Sequence, residues 1–235
     1  MRPEVLLIQV ILAVASMRLG GPPHIAHHGS ASSGAGGTVT VLDVYLFGDS
    51  IVDGGALANT SHRPEPVLES LLSAVPNLAE EVYNRGVSGN TIDDCQTRWD
   101  AAIATIASAG RQGVTVMLLQ CGSNGSGSIG AGTTIWATQE EMLEAARSAG
   151  IRVLPATIIP RANLAEIEVA NGLMRAWGVA EGVEVADTYA VLDDASDPGT
   201  LRVDCQDGDV IHPDTACTAE MVGVWFEAGR EAGYW

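Results

Sequence analysis

The sequence predicts an α/β fold, a single three-layer α/β/α sandwich in which helices cover both faces of a five-stranded parallel sheet. Three observations predict it. The β-like runs are apolar from end to end, as strands buried on both faces must be. Segments with helical spacing, roughly 10–20 residues each, lie between successive runs, as parallel crossovers require. The chain of 235 residues is 46% hydrophobic and 17% charged, enough apolar material for a sizeable core.

Taken in order, "TVTVLDVYLF" (38–47) is a β-branched apolar run, the first strand. "PEPVLESLLSAV" (64–75) has helical spacing and begins with Pro64, which the first turn of a helix accepts. "EEVYNRG" (80–86) reads as a short second strand running into Gly86. "TIDDCQTRWDAAIATIASAG" (91–110) opens with Thr91 and two acids, repeats apolar residues at helical intervals and stops at Gly110. "VTVMLLQCG" (114–122) is the third strand, and "TTIWATQEEMLEAARSAG" (133–150) a helix ended by Gly150. "IRVLPATIIP" (151–160) is the fourth strand, "NLAEIEVANGLMRAWG" (163–178) a helix and "VEVADTY" (183–189) the fifth strand. "TACTAEMVGVWFEAGREAG" (215–233) is the last helix. Trp99, Trp136 and Trp177 fall on helices and read as packing residues in preference to a sugar platform.

The two ends of the composition restrict function further. Formal net charge is −17, and all twelve basic residues are Arg. Such a surface repels phosphate backbones, so no nucleic-acid partner is expected. Residues 1–17 read as a signal peptide: an early Arg2, an apolar run from Val5 to Val14, then small residues. Glu4 departs from the positive start of that pattern. The run is too short for a comfortable membrane span. Residues 18–38, rich in Gly, Ser, Pro and His, read as a flexible tether, and residues 39–235 as the folded domain. The "HIAHH" histidines of the tether read as incidental, not as metal ligands. Cys95, Cys121, Cys205 and Cys217 form no CxxC pair, which argues against zinc, and their even number fits two disulfides in an exported chain. Three pairings are open; Cys205–Cys217 would close a short local loop, and Cys95–Cys121 would join neighbouring elements.

In a parallel sheet of this kind, ligands bind beyond the carboxyl ends of the strands. Four such loops concentrate the reactive residues: "GDS" (48–50), "RGVSGN" (85–90), "CGSNGSGS" (121–128) and "DGDVIHPD" (207–214). Ser50 stands where a strand turns into the next segment. A serine nucleophile needs a base, and His212 is the histidine in a late strand-end loop. Asp209, three residues before it, can reach the imidazole Nδ1 and leave Nε2 to take the serine proton. Acyl transfer also needs donors for the oxyanion; Gly86 can offer a backbone N–H, Asn124 a side-chain N–H and Ser50 its own amide.

The ordered blocks "FGDSIVDGG", "NRGVSGNT", "CGSNG" and "DGDVIHP" resemble the four sequence blocks of the GDSL, or SGNH, hydrolases over about residues 40–230. The resemblance implies a flavodoxin-like sandwich and ester hydrolysis with no cofactor and no metal. Carried over by position, it implies Ser50 as nucleophile, His212 as base, Asp209 as its orienting acid, and Ser50, Gly86 and Asn124 as oxyanion donors. Two positions depart from the family pattern: Ile51 stands in place of Leu, and Gly125 in place of a second acid after Asn124.

The expected activity is that of a serine ester hydrolase of the esterase or lipase kind, secreted and monomeric, acting on a small-molecule or polysaccharide ester. Few aromatics (5%) and no large insertion to form a lid favour short acyl groups such as acetyl. Two rival readings stand beside it. One is a non-catalytic glycan-binding protein on the same scaffold. The other is a nucleotide-binding protein, which would want a phosphate loop after the first strand, where "GDSIVDGG" instead places two acids.

Overall fold

The computed structural model describes residues 39–235 apart from 126, 128–129, 162–164 and 207. The readings of residues 1–17 as a signal peptide and 18–38 as a tether lie outside the described residues. Four strands, β1 (Thr40–Gly48), β2 (Leu78–Gly86), β3 (Thr115–Gln120) and β4 (Arg152–Pro155), form one sheet in the order β2-β1-β3-β4. Every pairing is parallel. From β1 the chain first adds a strand on one side and then on the other. The order therefore reverses between β1 and β3, and the crevice beyond their carboxyl ends is where an open α/β sheet builds its site.

Alternation along β1 divides the core into two layers, because successive side chains of a strand point to opposite faces. Leu42, Val44 and Leu46 face α2 (Pro64–Leu72) and α7 (Thr215–Glu231), meeting Leu68, Leu72, Met221 and Trp225. Phe47, with Met117 and Leu119 of β3, faces α3 (Ile92–Ser108), α4 (Ala131–Ser148) and α5 (Ala165–Glu181). Trp99, Trp136 and Trp177 are all buried in that second layer. Trp99 packs edge-on against Phe47 and donates from its indole to Met142 O at 2.7 Å, which satisfies its one polar atom.

Helix ends follow the sequence signals. Thr91 caps α3 in a capping box with Asp94, and the first-turn acids Asp93 and Asp94 match the positive end of the helix. The sheet differs from expectation at its outer edge, with four strands in place of five. The segment read as a fifth strand pairs through the single parallel bridge Ala156–Ala186. Directly after it Asp187 accepts from Ala190 N–H and starts the short helix α6 (Thr188–Leu192), while Thr157 Oγ1 takes Tyr189 N–H. Side-chain acceptors at Asp187 and Thr157 thus draw the backbone out of the ladder before it can lengthen.

One charged pair sits within the β1 layer. Asp43, 4% exposed, receives Arg111 on both oxygens, Nε at 2.9 Å and Nη2 at 2.6 Å. Removing the guanidinium leaves a buried carboxylate without its counter-charge. Arg111→Ala is therefore expected to lower the urea midpoint clearly more than Arg230→Ala, whose partner Glu227 lies in the same surface turn. Equal shifts in the two variants would refute this account of Asp43.

Candidate active site

The site is built from the ends of the strands. At the end of β1, Gly48 sits so close to α1 (Ser50–Asp53) that a Cβ there would lie 2.2 Å from Val52 Cγ2 and 2.5 Å from Gln120 O. That close approach turns the chain at once from strand into helix. Asp49, fully buried, uses both carboxylate oxygens: Oδ1 accepts from Ile51 N–H and Oδ2 from Ser123 N–H, each at 3.1 Å. One side chain thereby caps α1 and ties the β1 loop to the β3 loop. Ser50 is the first residue of α1, and among the described residues no acceptor engages its N–H.

The late loop brings the base to it. His212 Nε2 lies 2.9 Å from Ser50 Oγ, and His212 Nδ1 lies 2.8 Å from Asp209 Oδ2. The other oxygen of Asp209 accepts from Ile211 N–H at 2.8 Å and His212 N–H at 2.7 Å. Burial would raise the Asp209 carboxyl, but the His212 ring and these two backbone donors outweigh it and hold the group down at about 2. An ionised Asp209 makes Nδ1 the protonated nitrogen and leaves Nε2 with its lone pair towards Ser50, so Nε2 can take the Oγ proton while Asp209 stays ionised. A disulfide between Cys205 and Cys217 closes the chain around this loop.

The candidate oxyanion donors are placed less evenly. Asn124 Nδ2 donates to Asn90 O at 2.9 Å, and its Oδ1 accepts from Arg161 Nη1 at 3.2 Å. An amide nitrogen carries two hydrogens, so the second has no acceptor among the described residues. Gly86 does not stand as expected. Its N–H donates to Asn84 Oδ1 at 2.8 Å, and a Cβ on it would lie 2.2 Å from Asp53 N. The glycine is required by the backbone of α1 crossing over it, and its donor is already spent. Asn84 completes that clamp by donating from Nδ2 to Val52 O at 2.9 Å.

Gly89, which the sequence reading passed over, has the geometry Gly86 lacks. It occupies a turn closed by Asn90 N–H onto Val87 O at 3.2 Å, with φ +81 and open space where a Cβ would be. Nothing among the described residues accepts its N–H. The bridge between Thr91 and Asn124 sets this turn beside the β3 loop. The readable signal was the Ser88-Gly89-Asn90 turn itself, since a positive-φ third position favours glycine. Arg98 anchors the same turn: Nε donates to Asn90 Oδ1 at 2.8 Å, Nη2 to Gly48 O at 3.0 Å and Nη1 to Arg85 O. The second disulfide, Cys95–Cys121, ties α3 to the end of β3, three residues before Asn124.

Beside Ser50 lies a small notch of about 10 Å³, lined by Gly54, Ala56, Leu57 and Pro213 among others. The side chains of His212 and Asp209 remain 23% and 47% exposed, so the site is shallow and open on that side. Among the described residues no group of His, Cys, Asp or Glu could hold a metal ion, and no helix is long and apolar enough to cross a membrane.

Comparison with known proteins bears on family and fold. The family model described as the GDSL-like lipase/acylhydrolase family matches residues 46–217. No curated protein sequence matches the chain. Among solved structures, a member of the lipolytic protein G-D-S-L family from Veillonella parvula DSM 2008 is similar with a TM-score of 0.63 and 16% identity, over 81% of this chain and 97% of its own. The lipase/acylhydrolase from Enterococcus faecalis has a TM-score of 0.62 and 19% identity, over 81% of this chain and 96% of its own. An acetyl xylan esterase from Geobacillus stearothermophilus has a TM-score of 0.59 and 19% identity, over 82% of this chain and 95% of its own. At these identities the likeness is one of fold.

Proposed function

The chain belongs to the GDSL-like lipase/acylhydrolase family and is a carboxylic ester hydrolase, and from that premise we propose that it cleaves short-chain acyl esters, acetyl above all, through Ser50, His212 and Asp209. The observation that carries this reading is the line of hydrogen bonds from Ser50 Oγ through His212 to Asp209, at 2.9 and 2.8 Å.

In the first step Ser50 Oγ attacks the ester carbonyl carbon as its proton passes to His212 Nε2. The carbonyl π electrons move onto oxygen, where the amide of Ser50, the second Nδ2 hydrogen of Asn124 and the N–H of Gly89 receive them. Gly89 takes the part first assigned to Gly86. The intermediate collapses, the C–O bond to the alcohol breaks, and His212 returns the proton to the leaving oxygen. Water then attacks the acyl-enzyme by the same route, with His212 taking and returning its proton.

Among the described residues the space beside Ser50 is a small notch lined by Gly54, Ala56, Leu57 and Pro213, with no deep acyl tunnel, which supports a small acyl group. The open side at His212 supports a bulky alcohol such as a polysaccharide hydroxyl, and the acetyl xylan esterase among the similar structures is consistent with that class. Two disulfides support an exported enzyme, and we take it as a monomer whose folded domain runs over 39–235 behind a leader and tether. A fluorophosphonate probe is expected to label Ser50 and no other residue. Failure to label would favour the glycan-binding alternative. Turnover of p-nitrophenyl esters is expected to fall steeply beyond about four acyl carbons, and a maximum at eight or more would reject the short-acyl assignment.

Asp209 also predicts a pH dependence. Its carboxyl is held below the ordinary value near 3.8, so its contribution to stability is present above that value and is lost as pH falls through about 2. The ionisation of Asp209 should therefore leave no inflection in the kcat profile at or above its ordinary value near 3.8. Asp209→Asn is expected to lower kcat by about 10³–10⁴-fold, because Nδ1 loses the acceptor that sets its tautomer. An acid inflection near 3.8 or above that disappears in Asp209→Asn, or an unimpaired variant, would contradict this role.

A further inference from the structure

The amide of Asn124 is gripped from two sides. On one side Asn90 O takes an Nδ2 hydrogen at 2.9 Å. On the other stands Arg161, in the segment that follows β4. A single nitrogen of it, Nη1, donates to Ser123 O at 2.6 Å and to Asn124 Oδ1 at 3.2 Å. An amide whose oxygen meets a donor and whose nitrogen meets an acceptor has one favourable orientation. Turned over, it would set its NH₂ against a guanidinium and its oxygen against a carbonyl, two repulsive contacts in place of two hydrogen bonds.

The backbone around Asn124 does little to fix this side chain by itself. Gly122 and Gly125 flank it at φ +127 and +85, conformations that glycine adopts without the cost a Cβ would impose. The acceptor side is anchored, since Arg98 holds Asn90 from β1 and β2. The donor side depends on Arg161.

We infer that Arg161 is a positioning residue for ester hydrolysis, locking the Asn124 amide so that its second N–H is aimed at the oxyanion. The inference rests on the reading of Asn124 as an oxyanion donor. The guanidinium's charge on Oδ1 polarises the amide towards stronger donation. In a chain of net charge −17 this cation also offsets the field that opposes a developing oxyanion.

The test is a double-mutant cycle on p-nitrophenyl acetate hydrolysis, with kcat and KM measured separately and thermal midpoints recorded. Asn124→Ala should lower kcat by about 10²-fold, the usual effect of losing one oxyanion donor. Arg161→Ala should lower kcat by about tenfold with KM changed less than about twofold, because the amide acts mainly on the transition state. On the Asn124→Ala background the same substitution should change kcat by less than about twofold. Arg161→Lys should recover most of the loss, since one nitrogen makes both contacts, and Arg161→Met, which keeps the stem without a donor, takes the place of Arg161→Ala in the cycle if that variant does not fold. Equal losses in both backgrounds, or an Arg161→Ala enzyme with full kcat, would overturn the inference while leaving Asn124 as a donor. An unimpaired Asn124→Ala enzyme would overturn the donor assignment and this inference together.

Discussion

Ser50→Ala is expected to reduce hydrolysis of p-nitrophenyl acetate by at least about 10³-fold while the protein stays folded. The size of the loss follows from the chemistry. Without Oγ no acyl-enzyme forms, and His212 and the oxyanion donors are left to assist water alone. The retention of fold follows from the position. Ser50 begins α1, the cap on that helix is the Asp49 side chain, and the contact Ser50 makes through Oγ is with His212. Alanine keeps the backbone and removes that one hydrogen bond. Circular dichroism should match the wild type and the thermal midpoint should lie within about 2–4 °C of it, the scale of one partly buried hydrogen bond in a domain of this size. Residual activity within tenfold of wild type would remove Ser50 from the mechanism.

Gly86→Ala and Gly89→Ala are expected to part in opposite directions, although the two residues belong to one sequence block. At Gly86 a methyl group would lie 2.2 Å from Asp53 N and 2.7 Å from Asp53 Cα, both backbone atoms of the helix that begins with Ser50. Either α1 or β2 must move, at a cost of at least about 3 kcal/mol, above the usual range for an overpacked side chain because backbone must yield. Gly89→Ala meets no atom within 4 Å, and its cost is the positive φ, about 1 kcal/mol. The first variant should unfold at markedly lower urea. The second should fold and lose kcat, as the turn relaxes and its N–H leaves the oxyanion. A stable Gly86→Ala protein would refute the clamp of α1 on β2, and a fully active Gly89→Ala protein would refute the donor role of Gly89.

The sheet was legible because a strand covered on both faces has no polar alternation, a pattern plain in "VMLLQ" and "VTVLDVYLF". The edge was not. "VEVADTY" has the composition of a strand, but its pairing is decided by Thr157 and Asp187, whose contacts join segments 30 residues apart. The triad candidates were legible through chain order and the three-residue spacing of Asp209 and His212, which a turn converts directly into a hydrogen bond. The paired state of the Gly86 N–H was not legible for a physical reason: spacing says where a glycine is, but which N–H remains unpaired depends on Asn84 and α1. Arg161 was invisible for the same reason, since its partners lie on another strand's loop.

The two disulfides lend themselves to a different description, that of maturation. Neither bond staples the interior of the sheet. Cys205–Cys217 encloses the segment bearing Asp209 and His212, and Cys95–Cys121 fastens the helix of Arg98 to the strand that leads to Asn124. A newly made, reduced chain holds every reactive group in its sequence, yet base and oxyanion donors stay on loops that oxidation has still to fasten. Each closure restricts the unfolded chain by about 3–4 kcal/mol, and both restrictions fall on the catalytic rim. Oxidation therefore fastens the two loops on which the proposed base and the proposed donor Asn124 stand, in whatever setting joins the sulfurs.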